Sequence, residues 1–247
     1  MNSKQVIIVT GASAGIGEAI ARRLSGPCTQ LVLAARRKDR LEALRKALSP
    51  KGDVLICPTD MRDTNQIRAL FEQTEAAFGR LDVLVNNAGL GRSASLIDGS
   101  VEAWREMFDV NVIGLSYATQ LGLKLMHKHN TPGHIIHISS MSGHRVPTGT
   151  GGMYAATKHA VKALTEALRR ELHNVESPVR VCAISPGFVE TEFAQVMSGS
   201  AKVAAETYRR FPCLQPDDIA DAVQWVLGTP EHMQVHDILL RPKAQES

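Results

Sequence analysis

The chain has little of what marks several classes of protein. Its four cysteines lie far apart, without the paired spacing of a metal site or a disulfide framework; they are Cys28, Cys57, Cys182 and Cys213. No apolar run approaches the roughly 20 residues that a membrane span requires. Residues 1–10 are too short and wrongly flanked for a signal peptide. We therefore expect free thiols, no metal, no membrane partner and a cytoplasmic location.

The sequence also lacks an excess of either charge. Lysine and arginine number 28 against 25 acidic residues, and the basic residues are scattered rather than striped. That pattern gives no sign of a nucleic-acid partner. The length of 247 residues, of which 44% are hydrophobic, suits one α/β domain with a substantial buried core.

Short apolar runs alternate with longer segments of helical period along the chain. We predict strands at Gln5–Thr10, Leu31–Ala35, Val54–Cys57, Val83–Asn86, Ile135–Ile138, Val179–Ile184 and Ile238–Leu240. Helices are predicted to begin at Gly15 and Pro216 and to cover about Arg40–Leu48, Thr64–Phe78, Val101–Met126 and Tyr154–His173. This alternation is typical of a parallel sheet with helices on both faces. The expected fold is α/β, a single-domain Rossmann-like doubly wound parallel sheet of seven strands over residues 1–247.

A glycine-rich turn that contains Gly11, Gly15 and Gly17 joins the first strand to the first helix. Such a turn lets the backbone N–H groups of a helix N-terminus approach a pyrophosphate, whose charge the helix dipole favours. The spacing differs from the G-x-G-x-x-G pattern of other dinucleotide binders. The alternative is a glycine turn without a ligand, but its place between a β run and an amphipathic helix favours nucleotide binding.

No acidic residue ends the second strand, where a NAD-preferring site places a carboxylate on the ribose 2′-hydroxyl. The strand instead runs into Arg36, Arg37 and Lys38. Guanidinium groups suit a phosphate because they form forked, charge-assisted hydrogen bonds. The predicted cofactor is therefore NADP(H). A solvated helix entrance is the alternative, but it leaves the missing acid unexplained.

Tyr154 and Lys158, four residues apart, are expected to share a helical face, and Ser140 precedes them at the end of a strand. A phenol with a pKa of about 10 is a poor acid–base group at neutral pH. An ammonium one turn away is expected to lower that pKa, and a serine hydroxyl can hold a substrate oxygen. These three residues predict an enzyme with acid–base chemistry.

Taken together, the motifs resemble the short-chain dehydrogenase/reductase family. The matching segments follow the family's order and are Thr10–Gly17, Asp60-Met61, Asn86-Asn87-Ala88-Gly89, Asn111, Ser139-Ser140, Tyr154 with Lys158, and Ser185-Pro186-Gly187 with Thr191. The resemblance implies hydride transfer between NADP(H) and a carbonyl or alcohol. Tyr154 is implied as the proton donor or base and Ser140 as the group that holds the oxygen. Lys158 is implied to lie near the phenol and the nicotinamide ribose, and Asn111 to position a water that links Lys158 to solvent.

The same resemblance implies a set of cofactor-binding residues. They are Gly11, Ser13, Gly15, Ile16, Gly17, Arg36, Arg37, Asp60, Met61, Asn87, Ala88, Gly89, Tyr154, Lys158, Pro186, Gly187, Val189 and Thr191. Ser13 is implied to donate to the 2′-phosphate and the Asp60 carboxylate to accept from the adenine amino group. The Val189 backbone and the Thr191 hydroxyl are implied to bind the carboxamide. Asn86 is interpreted as a structural residue that satisfies buried backbone groups.

Residues 190–214 correspond to the family's variable substrate lid, and apolar side chains there suit a substrate of low polarity. They are Phe193, Met197, Val203, Tyr208 and Phe211. The candidate substrate residues are Phe193 together with His144 and Arg145, which lie in the loop after Ser140. The alternative for His144 and Arg145 is a loop position that faces water.

The C-terminal tail, the loop after Ser140 and the segment after Pro186 resemble a carbonyl-reductase subgroup that acts on keto-steroids and dicarbonyls. An NADP-dependent 3-hydroxy-acid (serine-type) dehydrogenase, in which Arg92 or Arg145 would hold a carboxylate, is the nearest alternative. A non-catalytic NADP-sensing module is another. The family resemblance also implies a homotetramer or homodimer built on the two long helices. The predicted partners are thus a small-molecule carbonyl or alcohol substrate and further copies of the chain.

Overall fold

The computed structural model describes residues 4–245, and within this range seven parallel strands form one sheet. The strands are β1 (Gln5–Thr10), β2 (Thr29–Ala35), β3 (Asp53–Pro58), β4 (Val83–Asn86), β5 (His134–Ile138), β6 (Arg180–Pro186) and β7 (Asp237–Leu240). Their order is β3-β2-β1-β4-β5-β6-β7, so the direction of winding reverses between β1 and β4. The predicted strands and the doubly wound, Rossmann-like fold are confirmed.

Helices cover both faces of this sheet. They are α1 (Gly15–Leu24), α2 (Lys38–Leu48), α3 (Thr64–Phe78), α4 (Val101–Phe108), α5 (Leu115–Lys128), α6 (Gly152–Asn174), α7 (Phe193–Ser198), α8 (Ala201–Arg209) and α9 (Pro216–Leu227). Successive strand residues point to opposite faces, so Val6 and Ile8 enter the core under α3, α5 and α6, while Ile7 and Val9 enter the core under α1, α2 and α9. Both cores are apolar, which is why the strands read as continuous hydrophobic runs.

The predicted helix Val101–Met126 is helical along its whole length, but its middle is not regular α-helix. A π-helical turn, Asp109–Gly114, separates α4 from α5. A Cβ placed on Gly114 would overlap the carbonyl oxygen of Met61, so the glycine lets the two backbones approach closely. Such insertions of one residue into a helix are frequent at functional sites. Here the turn contains Asn111, which is buried.

Helix α6 begins at Gly152, two residues before Tyr154, where the helix was predicted to start. Its inner stripe, which includes Tyr154, Thr157, Lys158 and Val161, is buried against the sheet. The side chains of Tyr154 and Lys158 are therefore held from the sheet side by a long helix that packs along its whole length.

All four cysteines are free, with Cys57 and Cys182 buried. Among residues 4–245, no helix combines the length and the hydropathy needed to cross a bilayer. Residues 1–3 of the run assessed as a signal peptide and residues 246–247 of the C-terminal tail lie outside the described residues.

Candidate active site

The glycine-rich turn adopts a conformation that its sequence requires. Gly11 has φ +66° and Gly15 has φ +56°, in the left-handed region that favours glycine. A Cβ on Gly11 would lie 2.8 Å from Nδ2 of Asn87, and one on Gly17 would overlap the Gly11 carbonyl oxygen. The neighbouring Ile16 instead packs against the core. The turn is thus a tight cradle that side chains would fill.

Thr10 and Asn87 hold this cradle in place. The Asn87 amide donates to the backbone oxygens of Thr10 (2.9 Å) and Gly11 (3.3 Å). The Thr10 hydroxyl accepts from the backbone N–H groups of Asn87 and Ala88, both at 3.0 Å. Asn86 bonds the Thr119 hydroxyl (2.9 Å) rather than a backbone group, which corrects the interpretation of its side chain. Thr10, a strand residue in the sequence pattern, is a positioning residue that sequence reasoning missed.

The N-terminus of α1 fits an anionic ligand. Ala14 precedes the helix, and no side chain among the described residues caps its first turn. The unpaired N–H groups of such a turn, together with the helix dipole, form an anion site. The residues of the cradle therefore fit a pyrophosphate.

A basic cluster lies beside the cradle at the end of β2. Nε of Arg37 donates to the Ser13 hydroxyl (3.2 Å), so the two side chains lie close enough to bind the same anion. Arg37 and Arg40 both pair with the carboxylate of Glu192, at 2.8 and 2.6 Å. The pKa of Glu192 is lowered, first by its hydrogen bond with Arg37 and then by that with Arg40. Arg40 and Glu192 were absent from the predicted site. Arg36, which was predicted, is exposed.

Asp60, the residue predicted to bind the adenine amino group, already forms an ion pair within the protein. The Asp60 carboxylate pairs with Arg62 at 2.6 Å, and that hydrogen bond is the main reason why the pKa of Asp60 is lowered. Arg62 also pairs with Glu106 at 3.4 Å. An adenine amino group that bonds Asp60 would share the carboxylate with Arg62. Met61, the other predicted residue, is buried.

Ser140, Tyr154 and Lys158 lie together at the carboxyl end of β5, as the spacing predicts. Nζ of Lys158 lies 5.8 Å from the centre of the Tyr154 ring and donates to the Ile138 carbonyl at 3.0 Å. The Ser140 hydroxyl accepts from the backbone N–H of Ser142 at 3.1 Å and caps a short 3₁₀ turn, Met141–Gly143. Tyr154 and Lys158 are both buried.

Burial sets the protonation states of this pair, and here the sequence-based expectation is wrong. It raises the pKa of Tyr154 to about 12, and a hydrogen bond with Ser140 opposes that shift only in part. It also lowers the pKa of Lys158 to about 8. Removal from water disfavours the charged form of each group, so the ammonium does not lower the phenol pKa in this conformation. Tyr154 is therefore a protonated phenol at neutral pH.

Asn111 ties three segments together through its side chain. Its amide nitrogen donates to the Leu90 carbonyl (2.8 Å) and to the Thr157 hydroxyl (3.0 Å). Its amide oxygen accepts from the Leu90 N–H (2.9 Å). A Cβ on Gly89 would lie 3.4 Å from that oxygen and 3.6 Å from Nζ of Lys158. The side chain thus fixes the loop after β4 against Lys158, and it has no free donor for a water.

The segment after β6 lies across the cradle. Pro186 ends the strand, and Gly187 packs closely against Gln245 of the C-terminal tail. Val189 is buried and pairs with Leu214 in an isolated bridge. The Thr191 methyl group lies 3.1 Å from where a Cβ on Gly15 would be, so Thr191 touches the cradle directly.

Helix α7 covers Tyr154. The Phe193 ring lies 5.3 Å from the Tyr154 ring, centre to centre, at an angle of 53°. Phe193 and Met197 both approach Gly91, and the Ser93 N–H donates to the Met197 carbonyl at 2.9 Å. These contacts hold the start of the predicted lid closed over the site.

The rest of the predicted lid lies farther from Tyr154. Phe211 pairs with Phe188 (5.7 Å between ring centres), and the Tyr208 hydroxyl accepts from the Ala194 N–H at 3.3 Å. Val203 is 45% exposed. Of the five apolar residues predicted for the lid, Phe193 and Met197 are therefore the pair that faces the site.

The polar residues proposed to bind substrate are engaged elsewhere or face water. His144 lies between Asp237 (2.9 Å) and Lys162 (3.0 Å), so it joins the Ser140 loop to β7 and α6 rather than facing solvent. Arg145 is exposed, in agreement with the alternative given for it. Arg92 pairs with Glu106 at 2.9 Å and donates to the Val196 carbonyl at 3.2 Å.

The fold and this geometry are those of a dinucleotide-binding α/β protein with a Ser–Tyr–Lys centre. Known proteins of similar sequence and structure belong to the same class. The sequence model described as short chain dehydrogenase matches residues 5–201. Human dehydrogenase/reductase SDR family member 11 is 41% identical over 98% of this chain and 95% of its own. A closed form of serine dehydrogenase complexed with NADP+ superposes with a TM-score of 0.90 at 35% identity, covering 98% of this chain and 97% of that one. An alcohol dehydrogenase from the archaeon Thermococcus sibiricus, complexed with 5-hydroxy-NADP, gives 0.85 at 32%, with 99% of each chain covered.

The chain belongs to the short-chain dehydrogenase family. It is a nicotinamide-dependent oxidoreductase that acts between alcohol and carbonyl groups, which confirms the prediction of an enzyme. The subgroup that the C-terminal tail resembles is that of dehydrogenase/reductase member 11, and the 41% identity confirms that closeness.

Proposed function

We propose that the protein is an NADP-dependent carbonyl reductase and alcohol dehydrogenase that transfers hydride between NADPH and a ketone such as a keto-steroid or a dicarbonyl. The observation that carries the proposal is the buried pair Tyr154 and Lys158 beside the partly buried Ser140, with the Phe193 ring packed on Tyr154. A phenol that keeps its proton at neutral pH is a donor for a carbonyl oxygen. An aromatic cover favours a substrate of low polarity and excludes water.

The division of labour at the centre follows from its geometry. The nicotinamide, when bound, supplies or accepts the hydride. Tyr154 donates a proton to the substrate oxygen in reduction and takes it back in oxidation, while Ser140 holds that oxygen. Lys158 lies beside the phenol and beside Gly89, where it can meet the nicotinamide ribose and place a positive charge next to the phenolate when that forms.

The cofactor residues are proposed on the same basis. The cradle of Gly11, Gly15 and Gly17 would hold the pyrophosphate, and Val189 and Thr191 the carboxamide. Asp60 and Met61 would border the adenine, while Pro186 and Gly187 set the path of the segment that follows β6. For Asn111 we propose that the π-helical turn, rather than the bonded side chain, frees a backbone group for the water that links Lys158 to solvent.

A substrate panel tests the proposal. NADPH oxidation measured with keto-steroids and dicarbonyls, and NADP reduction measured with 3-hydroxy acids including serine, separates the candidates by kcat/KM. We expect the ketones to be preferred. A preference for serine would instead select the serine-type dehydrogenase, which the 35% identity to the serine dehydrogenase supports. Against that alternative, Arg92 is paired with Glu106 and Arg145 is exposed, so neither is positioned for a substrate carboxylate. No turnover with any of these compounds would favour the non-catalytic NADP-sensing module.

NADP preference is expected to depend on the basic cluster. Removal of a charge-assisted hydrogen bond to phosphate costs about 1.5–3 kcal/mol, so Arg37→Ala is expected to weaken NADP binding roughly ten- to a hundredfold and NAD binding far less. Arg36→Ala is expected to act in the same direction. The matched control is Lys38→Ala, because Lys38 is exposed and faces Glu42 on α2. Titration calorimetry with both cofactors gives the answer, and equal binding of NADP and NAD by the wild type would contradict the preference.

The outer face of the two long helices supports a homodimer or, as we propose, a homotetramer. Several small or apolar side chains of α6 are exposed, namely Ala156, Ala163, Leu164 and Ala167. Leu164 and Ala167 border a groove with Leu123 of α5. Small residues let helices approach closely, and symmetric closure is the usual outcome for such a surface. Val110, Leu115 and Leu168 of the same helical segments are instead buried in the core of their own chain.

Ala163→Arg is expected to reduce the particle mass, because a long cation cannot be buried between closely packed helices. Ala47→Arg on the exposed face of α2 is the control and is expected to keep the wild-type mass. Light scattering at micromolar concentration measures both variants. A wild-type particle of 26.8 kDa, the mass of one chain, would rule out the assembly.

We also propose a cytoplasmic location, with which the free thiols agree.

A further inference from the structure

Glu192 is an acidic residue in the middle of a basic site. Its carboxylate bridges Arg37 and Arg40, one oxygen on each guanidinium, and Arg37 also contacts Ser13 of the cradle. Arg37 and Ser13 are residues implied to bind the 2′-phosphate of NADP, and Arg40 meets Arg37 on the same carboxylate. The carboxylate therefore stands where an anionic ligand group would bind.

The residues on either side of Glu192 contact two other parts of the active site. Thr191 touches the cradle at Gly15, and Phe193 lies on the Tyr154 ring. Glu192 itself precedes the first residue of α7. Three consecutive residues thus contact the pyrophosphate cradle, the basic cluster and the proton donor. A change at any one of these places acts on the others through a short piece of backbone.

We propose that Glu192 is a specificity-determining residue that competes with the cofactor's 2′-phosphate for Arg37 and Arg40. This inference rests on the proposed NADP-dependent function. A phosphate group and a carboxylate repel each other, and both require the same N–H donors. When the phosphate binds, Glu192 leaves, and the ion pairs that hold the start of α7 against the start of α2 are lost. A cofactor without a 2′-phosphate leaves these pairs intact.

Competition of this kind reduces the ratio of NADP affinity to NAD affinity. Binding to a site that is open for only part of the time is weakened by the open fraction. Only ligands with a 2′-phosphate experience this loss, so Glu192 lowers NADP affinity and leaves NAD affinity unchanged. The Glu192 carboxylate also anchors the start of α7. The position of α7 is therefore expected to depend on which cofactor is bound.

The test uses Glu192→Gln and two ligands that differ only in the 2′-phosphate, adenosine 2′,5′-bisphosphate and adenosine 5′-monophosphate. The half-exposed ion pairs are of modest strength, so we expect the variant to bind the bisphosphate about three- to tenfold more tightly. Binding of the monophosphate is expected to stay the same. The gain is expected to shrink at high salt, which screens exposed charges. Glu190→Gln is the matched control, since Glu190 lies two residues away and its carboxylate accepts from Gln215 rather than from an arginine.

Hydrogen exchange supplies a readout independent of affinity. In the wild type, the bisphosphate is expected to speed exchange of the α7 amides, whereas the monophosphate does not. In Glu192→Gln these amides are expected to exchange fast without any ligand. Weaker or unchanged bisphosphate binding by Glu192→Gln would overturn the inference, because the carboxylate would then orient the arginines rather than compete. Equal binding of the two ligands by the wild type would instead overturn the NADP preference itself.

Discussion

Tyr154→Phe is expected to remove nearly all turnover while the fold and cofactor binding remain. General acid–base catalysis supplies about 10²–10⁴-fold in rate, and this substitution deletes the proton donor alone. The phenylalanine ring keeps the same place beneath Phe193, so the closed position of α7 is preserved. Turnover of a dicarbonyl and calorimetric binding of NADP are the two measurements.

The matched control is Tyr117→Phe. The Tyr117 hydroxyl accepts from Arg68 on an outer surface of the helices, away from Ser140. Its loss is expected to leave the rate unchanged. A Tyr154→Phe variant with the wild-type rate would show that the phenol is not the proton donor.

The pH dependence of the wild type gives a second check on the role of Tyr154. Because burial raises the pKa of Tyr154 to about 12, the protonated phenol predominates at neutral pH. Reduction uses this form, whereas oxidation uses the phenolate. We therefore expect kcat/KM for alcohol oxidation to rise with pH up to about pH 8, above which Lys158 loses the charge that supports the phenolate, and kcat/KM for carbonyl reduction not to rise.

The parts of this protein that sequence predicts well are those set by local chemistry. Buried parallel strands appear as short apolar runs, and each predicted strand agrees with the structure within two residues at either end. The glycine turn is visible because the close approach of Gly11 and Gly17 to their neighbours excludes other residues. Ser140, Tyr154 and Lys158 are brought together because one follows a strand and two share a helical face.

The parts that sequence misses depend on distant contacts. Glu192 meets Arg37 across 155 positions of the chain, and no local pattern marks that pairing. The π-helical turn at Asp109–Gly114 has no signal in the hydrophobic period, and it brings Gly114 close to the backbone of Met61, a residue distant in the sequence. The pKa of Tyr154 was predicted in the wrong direction because spacing shows the nearby ammonium but not the removal of water from both groups.

Lys158→Met is the second change with a large expected effect. We expect it to lower activity without lowering the free energy of unfolding at neutral pH. One ammonium serves both the phenol and the proposed ribose contact, so we expect losses in kcat and in cofactor affinity together. A loss of rate alone would argue against the ribose contact. Lys46→Met, at an exposed position of α2, is the control and is expected to keep the wild-type rate.

The stability of Lys158→Met is expected to move differently from its activity. Burial lowers the pKa of Lys158 from 10.5 to about 8, and each unit corresponds to about 1.4 kcal/mol, so the buried charge costs roughly 3 kcal/mol at neutral pH. The lost hydrogen bond to Ile138 offsets about 1.5–3 kcal/mol of that gain. At neutral pH the variant is therefore expected to be at least as stable as the wild type.

The sign of the pH dependence follows from the lowered pKa of Lys158. Between about pH 8 and 10.5 the unfolded wild type binds more protons than the folded one, so its free energy of unfolding rises with pH relative to that of Lys158→Met. The advantage of the variant is thus full below pH 8 and disappears as the pH approaches 10.5. Urea unfolding of both proteins across this range measures the difference. Two results would contradict this expectation: a Lys158→Met variant that is less stable than the wild type at neutral pH, or a difference in free energy of unfolding that does not change with pH. Either result would mean that the Lys158 ammonium stabilises the fold instead of lowering its stability.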